Sequence, residues 1–257
     1  MDTTKEIITT QGDQVISNIQ RDIDRLCPCN HEEADTRMIL HVANAIDQNY
    51  LKVLLRTVDT DVVVLAVKTA AQFSTISDFE VWLAYGIGKH FRYIPAHEIA
   101  ACLGPDRSKA LPLFHAYTGC NTVSAFAGRG KKTAWDVWKG CDDVTSTFLA
   151  LSAGVQQLSD RDIGTLERFT MLLYDRTSSL IDIDEARLDL FTKKGRTMEN
   201  IPPTKAALIQ HIRRAVYQGG HCWGHATEAA PEVPSPENWG WADPINCQRS
   251  LRVFKKI

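Results

Sequence analysis

The sequence has little net charge, no apolar run of membrane-spanning length and no internal repeat. Its 29 lysines and arginines stand against 31 acids, for a formal net charge of −2. A nucleic-acid-binding role must therefore rest on a local basic patch and not on the overall charge. The apolar runs, such as Val62–Val67, are far shorter than the roughly 20 residues that a transmembrane helix needs. We expect no membrane partner.

The cysteines do not indicate a disulfide framework. There are seven, an odd number, and they are scattered along the chain without an apolar signal segment behind Met1. This pattern predicts a reducing, intracellular setting. The chain has 257 residues of ordinary globular composition, so we expect one large domain or one domain with an appendage.

The most informative stretch runs from Val53 to Val67, VLLRTVDTDVVVLAV. Its first apolar run predicts a strand that is covered on both faces. Asp59 and Asp61 follow the end of that strand, where open α/β folds bind ligands. Two carboxylates this close repel each other and commonly share a cation, Mg²⁺ or Mn²⁺. Alternatively, one of them only caps the next helix.

A helix is predicted from Glu32 onward. Its apolar face is formed by residues at helical spacing, which are Met38, Ile39, Val42, Ala43 and Ile46. Glu33 and Asp35 lie in its first turn, where acids also suit the positive end of the helix dipole.

The remaining pattern predicts short strands first and helices afterwards. Residues 1–18 indicate a short hairpin or two edge strands, and residues 86–88 form a glycine turn. The predicted strands are Leu51–Thr57, Asp78–Tyr85 and His90–Ile94, and the helices after Lys139 are Asp142–Ala153, Asp160–Tyr174, Asp182–Lys194 and Pro203–Gln218. The segment Ala229–Pro244, rich in Pro, Glu and Trp, is predicted to be extended.

A second informative stretch contains Gly128, Arg129, Gly130, Lys131 and Lys132. The glycines allow a sharp turn with exposed backbone amides, and the lysines start the next helix. Amides, a helix N-terminus and cations together form an anion site suited to phosphate. The alternative is a helix–helix connection with solvated lysines.

Taken together, these stretches resemble the second half of a flap-endonuclease or 5′-nuclease domain of the PIN-like superfamily. The resemblance covers roughly residues 31–140. Its motifs, in order, are Glu33-Ala34-Asp35, Thr57-Val58-Asp59-Thr60-Asp61, Gly119-Cys120-Asn121 and Gly128-Arg129-Gly130-Lys131-Lys132-Thr133-Ala134. The phrases HEEADTR and DTDVVVL also resemble a group of mobile-element-associated proteins of animal genomes.

The resemblance implies a role for each matching residue. Glu33, Asp35, Asp59 and Asp61 would be catalytic, and Asp35, Asp59, Asp61 and Asn121 would bind Mg²⁺ or Mn²⁺. The helix–hairpin–helix residues Gly128, Arg129, Gly130, Lys131 and Lys132 would hold the backbone of a nucleic acid, DNA in particular. A nuclear location is implied in the same way.

Two departures from the family pattern stand out. The family has an aspartate where this chain has Asn121, whose amide oxygen can coordinate a metal but brings no charge. The first strand of such nucleases also carries an essential aspartate, and no buried strand of that kind is predicted before His31. The site would then hold four acids.

Other candidate sites have weaker patterns. Cys27, Cys29 and His31 could form a zinc site with His221, Cys222 and His225, but the spacings match no common zinc module. Ser124 and Ser152 show no Ser–His–Asp arrangement around them in the sequence, which leaves open one formed with distant residues. For Trp135 and Trp138, at helical spacing, core packing is favoured over base stacking.

The sequence thus predicts an α/β fold, with a partial PIN-like parallel sheet followed by a mainly α-helical half. The expected divisions are residues 1–30 (edge segment), 31–140 (nuclease-type core), 141–220 (helical extension) and 221–257 (extended segment). The predicted function is divalent-metal-dependent, structure-specific hydrolysis of DNA phosphodiesters. The alternatives are a catalytically degenerate domain that binds nucleic acid or protein, and an unrelated helical module, in which Asp35, Asp59 and Asp61 would lie far apart.

Overall fold

The computed structural model describes residues 5–12, 14–20, 22–193 and 197–241. These residues form two compact units of a mixed α/β protein. The first unit extends to Pro112 and also includes Cys222–Glu232, while the second comprises Leu113–His221 and the described residues after Glu232. None of the helices among the described residues is both long and apolar enough to cross a bilayer.

The first unit begins with the predicted hairpin. Strands β1 (Ile8–Gln11) and β2 (Gln14–Ser17) pair antiparallel. The buried side chain of Val15 packs with Leu26, Cys29 and Leu40, which joins the hairpin to the first helix.

Helix α1 (Ala34–Asp47) confirms the prediction from its apolar spacing. Its buried face includes Ile39, Val42, Ala43 and Ile46. The polar side chains of its first turn lie at the N-terminal end of the helix, and the candidate site is at this end.

The second sheet of the first unit is mixed. Strand β3 (Lys52–Thr57) leads into α2 (Thr60–Gln72) and pairs parallel with β4 (Glu80–Tyr85), whereas β5 (Arg92–Pro95) pairs antiparallel with β4. The prediction of a parallel sheet is therefore right for β3 and β4 and wrong for β5. The reason is the short link from Gly86 to Phe91, because a parallel crossover needs about a dozen residues or more.

Two helices follow the sheet. Helix α3 (Ala96–Leu103) is packed against α2 and β4. Helix α4 (Pro105–Tyr117) comes directly after it, and the division between the two units falls within α4.

The second unit is helical, as the sequence predicts for the chain after Lys139. Its helices are α5 (Lys131–Trp138), α6 (Asp142–Leu151), α7 (Asp160–Tyr174), α8 (Ile183–Thr192) and α9 (Lys205–Val216), and a π-helical turn follows at Tyr217–Cys222. Short 3₁₀ turns lie at Met198–Asn200 and Pro236–Trp239. The second of these interrupts the segment predicted to be extended, and the part of that segment beyond Trp241 lies outside the described residues.

An aromatic cluster forms the core of the second unit. Trp138 is almost fully buried and stacks on Phe114 with ring centroids 4.6 Å apart. Phe148, Phe169 and Tyr117 continue the cluster. Core packing of Trp138 is thereby confirmed, since an indole buried in this way cannot stack on a nucleic-acid base.

Candidate metal centre

Asp59 and Asp61 are brought together by the start of α2. Asp59 is the N-cap, and its Oδ1 accepts a hydrogen bond of 2.9 Å from the backbone N–H of Asp61. The backbone N–H of Asp59 in turn donates to Thr57 Oγ1, at the end of β3. The capping interpretation is therefore correct, but it uses only one carboxylate oxygen and leaves Asp61 buried in the first helical turn.

Glu33 and Asp35 are held at the start of α1. Glu33 occupies the N-cap position, but its side chain caps no backbone N–H. Its Oε2 instead accepts a hydrogen bond of 2.9 Å from Trp223 Nε1. Asp35 lies two residues further on, still in the first turn of α1, and is partly buried. The acids of the candidate site thus lie at the N-terminal ends of two helices, α1 and α2, which come from different parts of the chain.

Asp35, Asp59 and Asp61 converge in the first unit. Each offers a carboxylate oxygen, and these atoms lie within 4.8 Å of one another. The arrangement rules out a fold in which the three acids lie far apart. It is also the one group of three or more metal-ligating side chains that the described residues contain.

The electrostatics of the cluster favour a cation. Burial, together with the negative charges of Asp59, Asp61 and Glu33, raises the pKa of Asp35 to about 6. Asp35 is therefore costly to ionise in the folded chain unless positive charge is supplied. Carboxylate oxygens are the ligands that Mg²⁺ and Mn²⁺ prefer, so this donor set fits a hard divalent cation.

Asn121, the fourth ligand implied by the resemblance, belongs to the second unit. It lies in an exposed loop between α4 and α5. Its membership of a metal site with the three aspartates stays a prediction.

The loop that carries Asn121 depends on Gly119. This residue has φ +108°, and a Cβ there would lie 2.7 Å from the Cβ of Ala125. Only glycine fits both the backbone conformation and the close approach. The loop between α4 and α5 is therefore folded tightly on itself.

The glycine–lysine segment leads from that loop into α5. Gly128 has φ +66°, and Gly130 is the N-cap residue of α5. Lys132 is solvent-exposed, although its Nζ pairs with Asp136 one turn later at 3.1 Å. The segment therefore presents a turn, a helix start and the exposed side chain of Lys132.

Lys131 and Arg129 are engaged within the second unit. The Lys131 ammonium donates to the carbonyl oxygens of His115 and Gly119 and to Thr118 Oγ1, at distances of 2.6–3.0 Å. The Arg129 guanidinium lies over the ring of Tyr174, 4.7 Å from its centroid. These contacts shape the loop, and a phosphate would have to compete for both groups.

Residues 222–232 contribute contacts that the sequence does not reveal. Lys68 is buried in α2, and its Nζ donates to the carbonyl oxygens of Trp223 and Gly224 at 3.0 and 2.8 Å. Burial lowers the pKa of Lys68 to about 8. Trp223 Nε1 reaches Glu33, 190 positions away, and no local pattern signals a contact at that separation.

One member of the hypothetical zinc site is bound to backbone. His31 Nε2 donates to the carbonyl oxygen of Glu228, so that nitrogen has a structural role. The Cys27, Cys29 and His31 set is not among the metal-ligating groups that the described part of the chain contains.

Comparisons of the chain with protein-family models, with curated proteins and with solved structures found no match.

Proposed function

We propose that this chain is a divalent-metal-dependent nuclease that hydrolyses phosphodiester bonds in DNA of particular structure, with the active centre at Asp35, Asp59 and Asp61. The observation that carries the proposal is the convergence of three carboxylates within 4.8 Å. The raised pKa of Asp35 supports it, because perturbed acids mark functional sites. The PIN-like resemblance supplies the reaction class.

The three aspartates would hold Mg²⁺ or Mn²⁺. A bound cation of this kind lowers the pKa of water and neutralises charge at a phosphate. The protein contributes the positions of the ligands. Asp59 is oriented by its capping hydrogen bond, and Glu33, oriented by Trp223, places a further negative charge at the start of α1.

The second unit would hold the nucleic-acid backbone. The positive φ of Gly128 and the helix start at Gly130 suit a phosphate bound to backbone amides. Lys132 is exposed at the start of α5, and Arg129 adds charge. Lys131, with its ammonium bound to three oxygens, would act mainly by fixing the loop. A nuclear location belongs to the same proposal.

A second candidate is a degenerate domain that binds nucleic acid or protein without cutting it. The neutral Asn121 at the position of a family aspartate favours it, since fewer charged ligands weaken metal binding.

The deciding experiment is cleavage of a 5′-flap DNA duplex in Mn²⁺. We would compare the wild type with Asp61→Asn and with Asp106→Asn, an exposed acid in the first turn of α4. The nuclease proposal expects cleavage that chelator and Asp61→Asn abolish and Asp106→Asn retains. No cleavage with salt-sensitive DNA binding would support the second candidate, and neither cleavage nor binding would overturn the nuclease and leave of the second candidate only a domain that binds protein.

A further inference from the structure

A serine–histidine pair lies in the second unit, outside the candidate metal centre. Ser124 Oγ is 3.2 Å from His211 Nδ1, and His211 Nε2 is 2.8 Å from the carbonyl oxygen of Tyr117. Ser124 is on the exposed loop after α4, and His211 lies in α9, 87 positions later. Neither residue has a role in the proposed nuclease.

The hydrogen bonds determine the tautomer of the histidine. A carbonyl oxygen only accepts hydrogen bonds, so His211 Nε2 must carry the proton. Nδ1 of the neutral ring is then an acceptor, and the Ser124 hydroxyl donates to it. This is the polarity that a nucleophilic serine requires, with a backbone carbonyl in the place where hydrolases commonly have an acid.

The imidazole is held rigidly and without charge. His211 is only 5% exposed, and its ring packs against Phe126 and Tyr117 with centroids 4.6 and 5.2 Å away. Burial lowers the pKa of His211 to about 4, against the opposing effect of the Tyr117 carbonyl. At neutral pH the ring is thus unprotonated and able to accept a proton, and the same burial makes it a weaker base than a solvent-exposed imidazole.

The pair faces a cavity large enough for a small substrate. The cavity has a volume of about 770 Å³ and is lined by Ser124 and His211 together with apolar side chains such as Phe126, Ile201 and Pro202. This size is typical of small-molecule sites.

Two cations also line the cavity. The guanidinium groups of Arg187 and Arg214 donate to the backbone carbonyls of Pro202 and Gly240, and each retains further donors. One acid, Glu237, also lines the cavity, but the two guanidinium groups outnumber it, so a substrate that carries a carboxylate fits better than a neutral one of the same length.

We propose that Ser124 is a nucleophile, with His211 as its general base, for hydrolysis of carboxylic esters whose short acyl chain ends in a carboxylate. Ser124 Oγ bonds to the carbonyl carbon while its proton moves to His211 Nδ1. The bond from that carbon to the leaving alkoxide breaks, and the alkoxide takes the proton. Water then cleaves the acyl-serine ester, releasing the carboxylic acid and restoring the hydroxyl.

The first test is labelling with a fluorophosphonate, followed by peptide mapping. We expect the label on Ser124 in the wild type and in Ser146→Ala, an exposed serine of α6, and its loss in Ser124→Ala. Ser124 and Ser146 are both exposed, so both variants should fold, and circular dichroism checks this. Labelling of Ser124 no faster than of Ser146 would overturn the proposal.

The second test is hydrolysis of 4-nitrophenyl esters. The rate due to Ser124 is the wild-type rate minus the rate of Ser124→Ala. By this measure we expect the mono-ester of succinate to react about tenfold faster than the butyrate, because one additional charge-assisted hydrogen bond to the substrate carboxylate allows a difference of that size. Equal rates, or a faster butyrate, would overturn the substrate class.

The pH profile separates base catalysis from simple exposure of the hydroxyl. Besides the pair itself, the charged or titratable groups around the cavity are Tyr174, Arg187, Arg214 and Glu237. With a neutral His211 as base, the labelling rate should be nearly flat between pH 5 and pH 8. A rate that rises about tenfold per pH unit would mean attack by the unassisted alkoxide and would refute the role of His211.

Discussion

Asp35→Asn should stabilise the first unit in the absence of metal. In the folded chain the pKa of Asp35 is raised from 3.8 to about 6, so the folded state binds more protons than the unfolded state at intermediate pH. Stability is therefore lost as pH rises from about 4 to about 6, and the loss persists above pH 6. The amide keeps the size of the side chain and removes its charge.

The magnitude follows from the pKa shift. A shift of about two pKa units corresponds to about 3 kcal/mol at most. Asp35 is only partly buried, and solvent and salt screen the interaction. We therefore expect a gain of about 1–2 kcal/mol at pH 7.5 in chelator, and no gain near pH 4, where Asp35 is protonated in the folded state.

Divalent metal should reverse the order of stability of the wild type and Asp35→Asn. Mn²⁺ at about 100 times its dissociation constant would stabilise the wild type by about 2.7 kcal/mol. Asp35→Asn lacks one charged ligand and should gain much less. The crossing of the two stabilities, and not either value alone, is the signature of a metal site built from repelling acids.

Hydrogen exchange of peptides from α1 and α2 measures this effect in the relevant unit. Thermal unfolding of the whole chain would mix two compact units. Asp106→Asn is the matched control and should change neither value. The reasoning fails if Asp35→Asn is the less stable protein in chelator at pH 7.5, or if it gains as much from Mn²⁺ as the wild type.

Further changes probe the packing of each unit, and urea unfolding, followed by hydrogen exchange of peptides from the unit that carries the change, measures them. Gly119→Ala should destabilise the chain by about 2 kcal/mol or more, because its Cβ would lie 2.7 Å from the methyl of the facing alanine. Gly164→Ala, with open space in α7, should instead stabilise the chain by about 0.5–1 kcal/mol. Equal effects of the two substitutions would contradict this reasoning. Trp223→Phe should cost about 1.5–3 kcal/mol, the worth of a hydrogen bond to the charged Glu33, and an unchanged midpoint would disprove that contact. Folding lowers the pKa of Lys68 from 10.5 to about 8, so between these pH values the unfolded state binds more protons than the folded state. The free energy of unfolding should therefore rise by about 2 kcal/mol between pH 8 and pH 10. This rise should be absent in Lys68→Met.

The periodic spacing of apolar residues along the sequence predicted much of the fold. The apolar face of α1 and the helices after Lys139 follow from spacing, and the turn signals at Gly86 and Gly88 mark the link before β5. The sheet as a whole was predicted to be parallel, which is wrong for β5, although the length of that link already requires an antiparallel partner.

The candidate site was predictable in part. Asp59 and Asp61 are close in sequence and follow a strand, so their convergence is a local property. Asp35 was joined to them only through the resemblance, and the structure brings its carboxylate to the same cluster.

Contacts between distant positions were not predictable. Trp223 donates to Glu33 across 190 positions, and Lys68 reaches Trp223 across 155. Lys131 looked like a phosphate ligand because its sequence context shows its charge but not its acceptors, which include backbone carbonyls at the end of α4. The Ser124–His211 pair was missed for the same reason.

The interrupted path of the first unit affects the order in which the chain can fold. Residues 222–232 belong to this unit but leave the ribosome only after the whole of Leu113–His221 has been made. At about 5–20 residues per second, the delay is on the order of ten seconds. During that time Glu33 lacks its indole donor and the side chain of Lys68 lacks its carbonyl acceptors. The first unit, which contains the candidate metal centre, therefore cannot complete its folding until residues 222–232 have been synthesised.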